Sequence, residues 1–279
     1  MAISFNQVQR IFRKTERDLE RLSSEKHAEA VHSFRTSARR LETLLQEIAP
    51  HRDRQGKKLL KILNAIRRRA GKVRDLDVQL EALLSLKIPQ EPRRKTRLMQ
   101  DLVDLRLKRE AKLSKFLRKQ DIRDVRKRLK QAHKGLKIDG ARDPLAVARQ
   151  ILAAALTASS TMDATQLHRC RVAVKRARYA AELAGKSPAA SVFIVDLKHM
   201  QDALGNWHDW QLLTETAKRR LGEVNQSSLV AVLHNVTQGK FRQAIKAVSG
   251  PETARGAMQT MPAGVKLTRQ TMSVTRAAA

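Results

Sequence analysis

Aromatic side chains make up only 3% of this 279-residue chain, with two tryptophans and a single tyrosine. Proteins that grip single-stranded nucleic acid stack its bases on aromatic rings, so the composition argues against such a platform. Acidic residues are also scarce: 27 Asp and Glu stand against 57 Lys and Arg, for a formal net charge of +30. A surface so charged repels itself, and its natural partner is a polyanion. Nucleic acid, an anionic membrane surface and a polymeric phosphate are the candidates. One cysteine, Cys170, excludes an internal disulfide framework and a Cys-rich zinc site. It falls on an apolar helix face and is expected to be a buried thiol. No apolar run approaches the roughly 20 residues needed to span a bilayer. The start, Met1 to Gln7, lacks the basic-then-apolar layout of a secretory signal. A soluble cytoplasmic protein without membrane insertion is expected.

What the chain has is a repeated basic helix. His32, Arg35, Arg39 and Arg40 recur, shifted by 136 positions, as His168, Arg171, Lys175 and Arg176. At roughly 100° per residue, a histidine and the cations three and seven residues later share one face. In the second copy Arg178 joins that face. Val31, Phe34, Ala38, Leu41 and Leu45 form an adjacent apolar flank, as do Leu167, Cys170, Val174, Ala177 and Ala181. Arg40 and Arg176 lie on the other side of the row, where a long side chain still reaches it. A weaker match, shifted by 134, sets Gly71, Arg74 and Asp75 on Gly205, His208 and Asp209.

Helical periodicity runs nearly throughout, and nothing reads as a strand. Helices are expected over about 5–23, 27–49 and 54–86, with a long basic one after Pro92 to about 134, interrupted near Asp121. Phe5, Val8, Ile11, Phe12, Thr15, Leu19 and Leu22 form the first helix's buried side, and Leu59 through Leu84 that of the third. Ser23 to Glu25 breaks and caps ahead of the second helix, and Pro50 closes it. A linker covers about 135–143, marked by Gly140 and Pro144. Further helices are expected over about 144–159, 164–184, 189–221 and 225–248. The reading is an all-α domain over 1–248, built as two pseudo-twofold-related four-helix bundles by internal duplication. The first half covers about 5–134 and the second about 144–248. The Gly- and Pro-dotted tail, 249–279, is expected to be disordered.

The pattern His-x-x-Arg-x-x-x-Arg-Arg-Leu at His32 to Leu41, with Ala70 to Val78, resembles the CHAD family, the conserved histidine α-helical domain. Leu167 to Tyr179 and Leu197 to Asp209 resemble the family's second half. The resemblance covers about 5–248. It implies two four-helix bundles with a basic channel between them, and binding of inorganic polyphosphate, often at intracellular granules. With no strand-rich segment for a fused triphosphate-hydrolysing β-barrel, this looks like the stand-alone form. Glu42 stands where the family usually has arginine, which implies a weaker grip in the first half.

Polyphosphate offers closely spaced anionic oxygens and nothing else to read, so its site needs fixed cations at repeated spacing. Guanidinium forks suit it, since each takes two oxygens. The candidate binding residues are His32, Arg35, Arg39, Arg40, Arg67, Arg74, His168, Arg171, Lys175, Arg176, Arg178, Lys198 and His208. Asn64, Arg67, Gly71 and Arg74 share a face, as do Lys198, Gln201, Gly205 and His208. Gly71 and Gly205 are expected to admit another helix closely. The histidines are read as hydrogen-bond donors whose pKa the neighbouring cations lower, so that phosphate favours the protonated form. Asp75 and Asp209 are read as salt-bridge partners that orient arginines. Arg93, Arg94, Lys95, Lys127 and Lys130 are expected to be solvated, and His51, His133, His199 and His234 incidental.

The leading expectation is non-enzymatic polyphosphate binding, with no cofactor and no metal. General DNA or RNA binding is the alternative. A metal-dependent phosphohydrolase built on His208-Asp209 ranks below it, because such sites need further His and Asp on other helices. No Gly-x-x-x-x-Gly-Lys loop or Gly-x-Ser-x-Gly turn is present. No feature of the sequence sets an oligomeric state.

Overall fold

The computed structural model describes residues 3–25, 27–49, 54–87, 91–120, 122–137, 142–157, 162–185 and 187–249. Pro50, His51, Asp121, Gly140 and all of the expected tail except Ser249 lie outside them. Among the described residues the chain is all-α, with nine α-helices and no strand. The first five are α1 (Phe5–Ser24), α2 (Ala28–Thr43), α3 (Arg54–Ser85), α4 (Pro92–Lys119) and α5 (Ile122–Lys134). The remaining four are α6 (Pro144–Leu156), α7 (Ala164–Ala181), α8 (Pro188–Leu221) and α9 (Ser228–Ser249). No helix is long and apolar enough to cross a membrane, among the described residues.

The helix starts follow local chemistry. Ser4 and Gln7 form a reciprocal capping box on α1, Asp163 caps α7 through Gln166 N, and Ser187 caps α8 through Ala190 N. Proline opens α4, α6 and α8, where its missing N–H costs nothing. Ahead of α2 the cap is His27, whose Nδ1 accepts from Ala30 N, rather than a residue of Ser23 to Glu25. Phe5 and Leu84 sit on the exposed side of their helices at 60% exposure, because each lies beyond the end of its packed stripe.

One local irregularity bears on the repeat. Leu44–Ile48 continues α2 as a π-turn, whereas the equivalent stretch after α7 is the 3₁₀ turn Glu182–Ala184, closed by Gly185 at φ 74°. A wide turn holds more residues per rise than a tight one. The two turns nonetheless end in register, Ile48 against Ala184 at a shift of 136, and the shift falls to 134 in the connections that follow them, 49–53 and 185–187.

The two longest helices organise the rest. At 1.5 Å per residue, α3 with 32 residues and α8 with 34 each run roughly 50 Å. Both pass through two apolar cores. The larger core takes Leu59, Leu63, Ile66, Ala70 and Val73 from α3 and Phe193, Leu197, Met200, Leu204 and Trp207 from α8. The smaller takes Leu76 and Leu83 from α3, Leu213 and Ala217 from α8, and residues of α4 and α9. Helices of like order pack across the halves, α2 on α7 and α3 on α8. Arg74 and Asp75 therefore fall where α3 leaves one core for the other, and His208 and Asp209 where α8 does. Polar side chains are tolerated at that waist because neither core needs them for packing.

Candidate anion site

The buried flanks of α2 and α7 leave both basic rows on the surfaces that face each other. Val31, Phe34, Ala38, Leu41 and Leu45 are buried, as are Leu167, Cys170, Val174, Ala177 and Ala181. The rows then meet. His32 feels the charges of Arg74 and Arg35 from its own half and of Lys175 and Arg178 from the other. Lys175 in turn feels Arg171, Arg39 and Arg35, and the His168 and His208 rings lie 5.3 Å apart between centroids. Residues more than a hundred positions apart thus line one cationic seam.

Within the seam the cations divide into two groups. Those eight residues past each histidine are tied down by the opposite half. Arg40 Nε lies 2.7 Å from Glu182, and Arg176 pairs with Glu47. Arg178 also reaches Glu182, at 3.1 Å, while Arg74 pairs with Glu81 at 3.4 Å and Arg67 with Glu42 at 2.9 Å. The cations three and seven residues past each histidine are different. Arg39, Arg171 and Lys175 form no salt bridge among the described residues, and Arg35 only a loose one, Nη1 to Asp75 Oδ1 at 3.6 Å. These four face one another from α2 and α7.

That concentration of like charge has a cost. Arg35 Nη1, Arg171 Nε and His208 Nδ1 are buried and have no hydrogen-bond partner among the described residues, and neither does Gln201 Oε1. Each such atom typically costs about 1–3 kcal/mol, so folded proteins keep few of them. Burial, then Arg171 and Arg39, pushes Lys175 down to about 7, with Asp209 opposing. Burial, then Arg171 and His168, pushes His208 down to about 3, which leaves it neutral at ordinary pH. His32 and His168 are also held below the usual imidazole value, by partial burial first and then by neighbouring cations. Burial raises the Asp209 carboxyl, against the pull of Arg171 and Lys175.

At the Arg39 end the seam opens into a cavity of about 180 Å³, lined by Arg39, Asn64, Arg67, Arg176 and Tyr179 together with Glu42, Glu47, Thr43 and Gln46. Glu42, 8% exposed, takes a hydrogen bond from Arg67 Nε at 2.9 Å, and its burial raises its pKa. Glu42 thus neutralises a guanidinium of its own half.

Not every expected residue joins the seam. Lys198 is exposed and makes no hydrogen bond or ion pair among the described residues. Gly71 admits a side chain rather than a helix: a Cβ there would sit 2.8 Å from Arg35 Nη1. Gly205 faces open space, with nothing within 4 Å of such a Cβ. Asp75 does hold an arginine, but Asp209 forms no salt bridge with Arg171 and acts on it through space. Asp77 points elsewhere, to Arg106 of α4 at 2.7 Å. His133 lies outside the seam, in the packing of α1 against α5. Its ring packs 5.0 Å from Phe12 and 5.7 Å from Phe5, far from the seam. Cys170 is buried and its thiol pKa is raised.

The sequence reading missed Glu47, Glu182 and Tyr179. Extending the repeat beyond Leu41 and Tyr179 with a one-residue offset aligns Glu47 with Glu182, and that was the available signal. Among the described residues no three His, Cys, Asp or Glu side chains gather as a metal-binding group.

Comparison with known proteins agrees with this architecture. No curated protein matches the chain. The crystal structure of the CHAD domain from the plant Ricinus communis matches with a TM-score of 0.66 at 17% identity, covering 92% of each chain. At that identity the likeness is one of fold. The CHAD domain family model matches residues 6–218, which takes in α1 to most of α8 and both basic rows, so this chain belongs to the CHAD domain family.

Proposed function

We propose that this protein binds inorganic polyphosphate, without turning it over, along the seam between α2 and α7. One observation carries the reading: Arg35, Arg39, Arg171 and Lys175 converge from both halves without firm carboxylate partners among the described residues, and two of their donors, Arg35 Nη1 and Arg171 Nε, are buried and unsatisfied. A row of anionic oxygens is the ligand that would relieve both the charge and the orphaned donors. His32, His168 and neutral His208 serve as further donors, and Tyr179 stands with Arg39 in the lining of the cavity at the seam's end. Family membership supports the ligand class, and the fixed spacing of the cations favours a linear phosphate over a bulkier duplex. The matching arrangement of α2 with α7 and α3 with α8 supports an origin by internal duplication. Binding at polyphosphate granules in the cytoplasm is the cellular role that fits.

The test is a competition titration. Labelled long-chain polyphosphate is bound and then displaced by duplex DNA, by RNA or by tripolyphosphate at two salt concentrations. The expected result is displacement by nucleic acid only at large charge excess, with steep salt dependence for all ligands. Arg35→Gln with Arg171→Gln should weaken polyphosphate binding at least roughly tenfold more than Arg93→Gln with Lys127→Gln. Displacement by DNA charge for charge would overturn the reading in favour of a general nucleic-acid binder.

A further inference from the structure

A second basic tract lies outside the seam, on the other flank of α3. The row that faces the seam, Arg67, Gly71 and Arg74, has beside it Arg68, Lys72 and Asp75, each one residue further along and so about 100° around the helix. This second row and Arg109 and Lys112 of α4 line a groove of about 730 Å³ between the two helices. Arg69 completes its wall. The Arg69 guanidinium is fixed, 3.7 Å over the Phe116 ring and donating to Ala65 O at 3.1 Å.

Two features separate this groove from an ordinary charged surface. Arg68, Lys72, Arg109 and Lys112 form no salt bridge among the described residues. By contrast Arg106 of α4 pairs with Asp77 and Glu110, and Arg126 of α5 with Glu16 and Glu20. The groove is also joined to the seam. Asp75 lines the groove, and its carboxylate is the one that lies 3.6 Å from Arg35 Nη1. α3 is therefore the wall shared by both, with cations on each side and the Asp75 carboxylate at the junction.

We infer that the α3/α4 groove is a second anion-binding tract that continues the seam past Asp75 and holds the part of a linear polyphosphate that the seam cannot accommodate. The inference rests on the reading of the seam as a polyphosphate site and adds a chain-length preference to it. A ligand short enough to lie within the seam gains nothing from the groove; a long one bridges both and binds more tightly through the second contact set.

Three proteins are compared by affinity for long-chain polyphosphate and by the inhibition constant of tripolyphosphate. They are the wild type, a groove variant (Arg68→Gln, Lys72→Gln, Arg109→Gln) and a control variant of equal charge on α5 (Lys127→Gln, Lys130→Gln, Lys134→Gln). The groove variant should bind long-chain polyphosphate roughly tenfold more weakly, with a shallower salt dependence, and tripolyphosphate as the wild type does. Lys72→Gln with Lys112→Gln, both exposed and outside any core, should show the same selectivity in smaller measure. Equal losses for the two ligands, or losses no larger than those of the control, would overturn the groove. So would a matching loss of affinity for duplex DNA, which would make it a general basic surface. If the seam variant carrying Arg35→Gln and Arg171→Gln binds long-chain polyphosphate as the wild type does, the seam reading itself fails, and the continuation with it.

Discussion

Arg40 Nε lies 2.7 Å from Glu182 Oε2, and this contact joins the first half of the chain to the second. Its counterpart, Arg176 with Glu47, runs the opposite way. Each half therefore supplies one guanidinium and receives one. The pairs sit beside the seam, where they offset its repulsion without neutralising the cations that face the cleft. A double-mutant cycle with Arg40→Gln and Glu182→Gln should give a coupling of about 1 kcal/mol, the usual worth of a partly exposed pair. Part of the Glu182→Gln effect belongs to Arg178, which shares that carboxylate. Chemical denaturation of the four proteins measures it, and additivity of the two changes would remove the pair from the forces that hold the halves together.

The two equivalent glycines should behave differently. Gly205→Ala adds a methyl into open space on a helix interior and should stabilise the protein by roughly 0.5–1 kcal/mol. Gly71→Ala gains the same helix propensity but drives a Cβ against Arg35 Nη1. The guanidinium must move away from Asp75, so the stability gain should vanish and polyphosphate affinity should fall. Thermal melts and binding titrations of the two variants side by side make the comparison, and identical behaviour would mean that Arg35 relaxes without consequence.

Lys175 gives binding and stability opposite responses to pH. In the folded protein it is pushed down to about 7 from the ordinary 10.5. It faces Arg35 and Arg39 of α2, Arg171 of its own helix, and Asp209 of α8, with His32, His168 and His208 nearby. An anion in the seam favours the charged ammonium. Affinity should be fully present below about pH 7 and fall as the pH rises above it, while His32 and His168 add to binding on the acid side. Between about 7 and 10.5 the unfolded chain binds the extra proton, so the stability of the unliganded protein should rise with pH over that window. Lys175→Arg should flatten both dependences. Titrations and melts from pH 6 to 9 would show it, and a pH-independent wild-type affinity would take Lys175 out of the site.

Glu42 offers a change in the other direction. Its carboxylate holds Arg67 at 2.9 Å and lowers the positive charge at the cavity end of the seam. Glu42→Gln keeps a hydrogen-bond acceptor and removes the charge, so polyphosphate affinity should rise a few-fold while the melting temperature falls. Glu42→Arg would bury a further cation against Arg67 and Arg39, and its loss of stability should exceed any gain in binding. Isothermal titration of the glutamine variant decides the sign. A weaker affinity would mean that Glu42 serves to aim Arg67 at the ligand.

The helix order, the buried flanks of α2 and α7 and the candidate rows were all legible in the sequence, because a 3.6-residue period places every third or fourth side chain on one face whatever the helix packs against. His32, Arg35 and Arg39, and likewise His168, Arg171 and Lys175, were bound to lie together on that local geometry alone. What only the tertiary structure decided is which face meets which. Arg40 and Arg176 looked like members of the row, but their partners, Glu182 and Glu47, come from the other half and compete for them at close range. Lys198 shares a helix face with His208 over about three turns, yet it is exposed while His208 Nδ1 is buried. Gly71 and Gly205 occupy matching places in the sequence and meet a guanidinium and open space respectively. Periodicity is a property of one helix and can be read along the chain. Compensation of charge depends on distances between helices, and those are set when the apolar flanks pack.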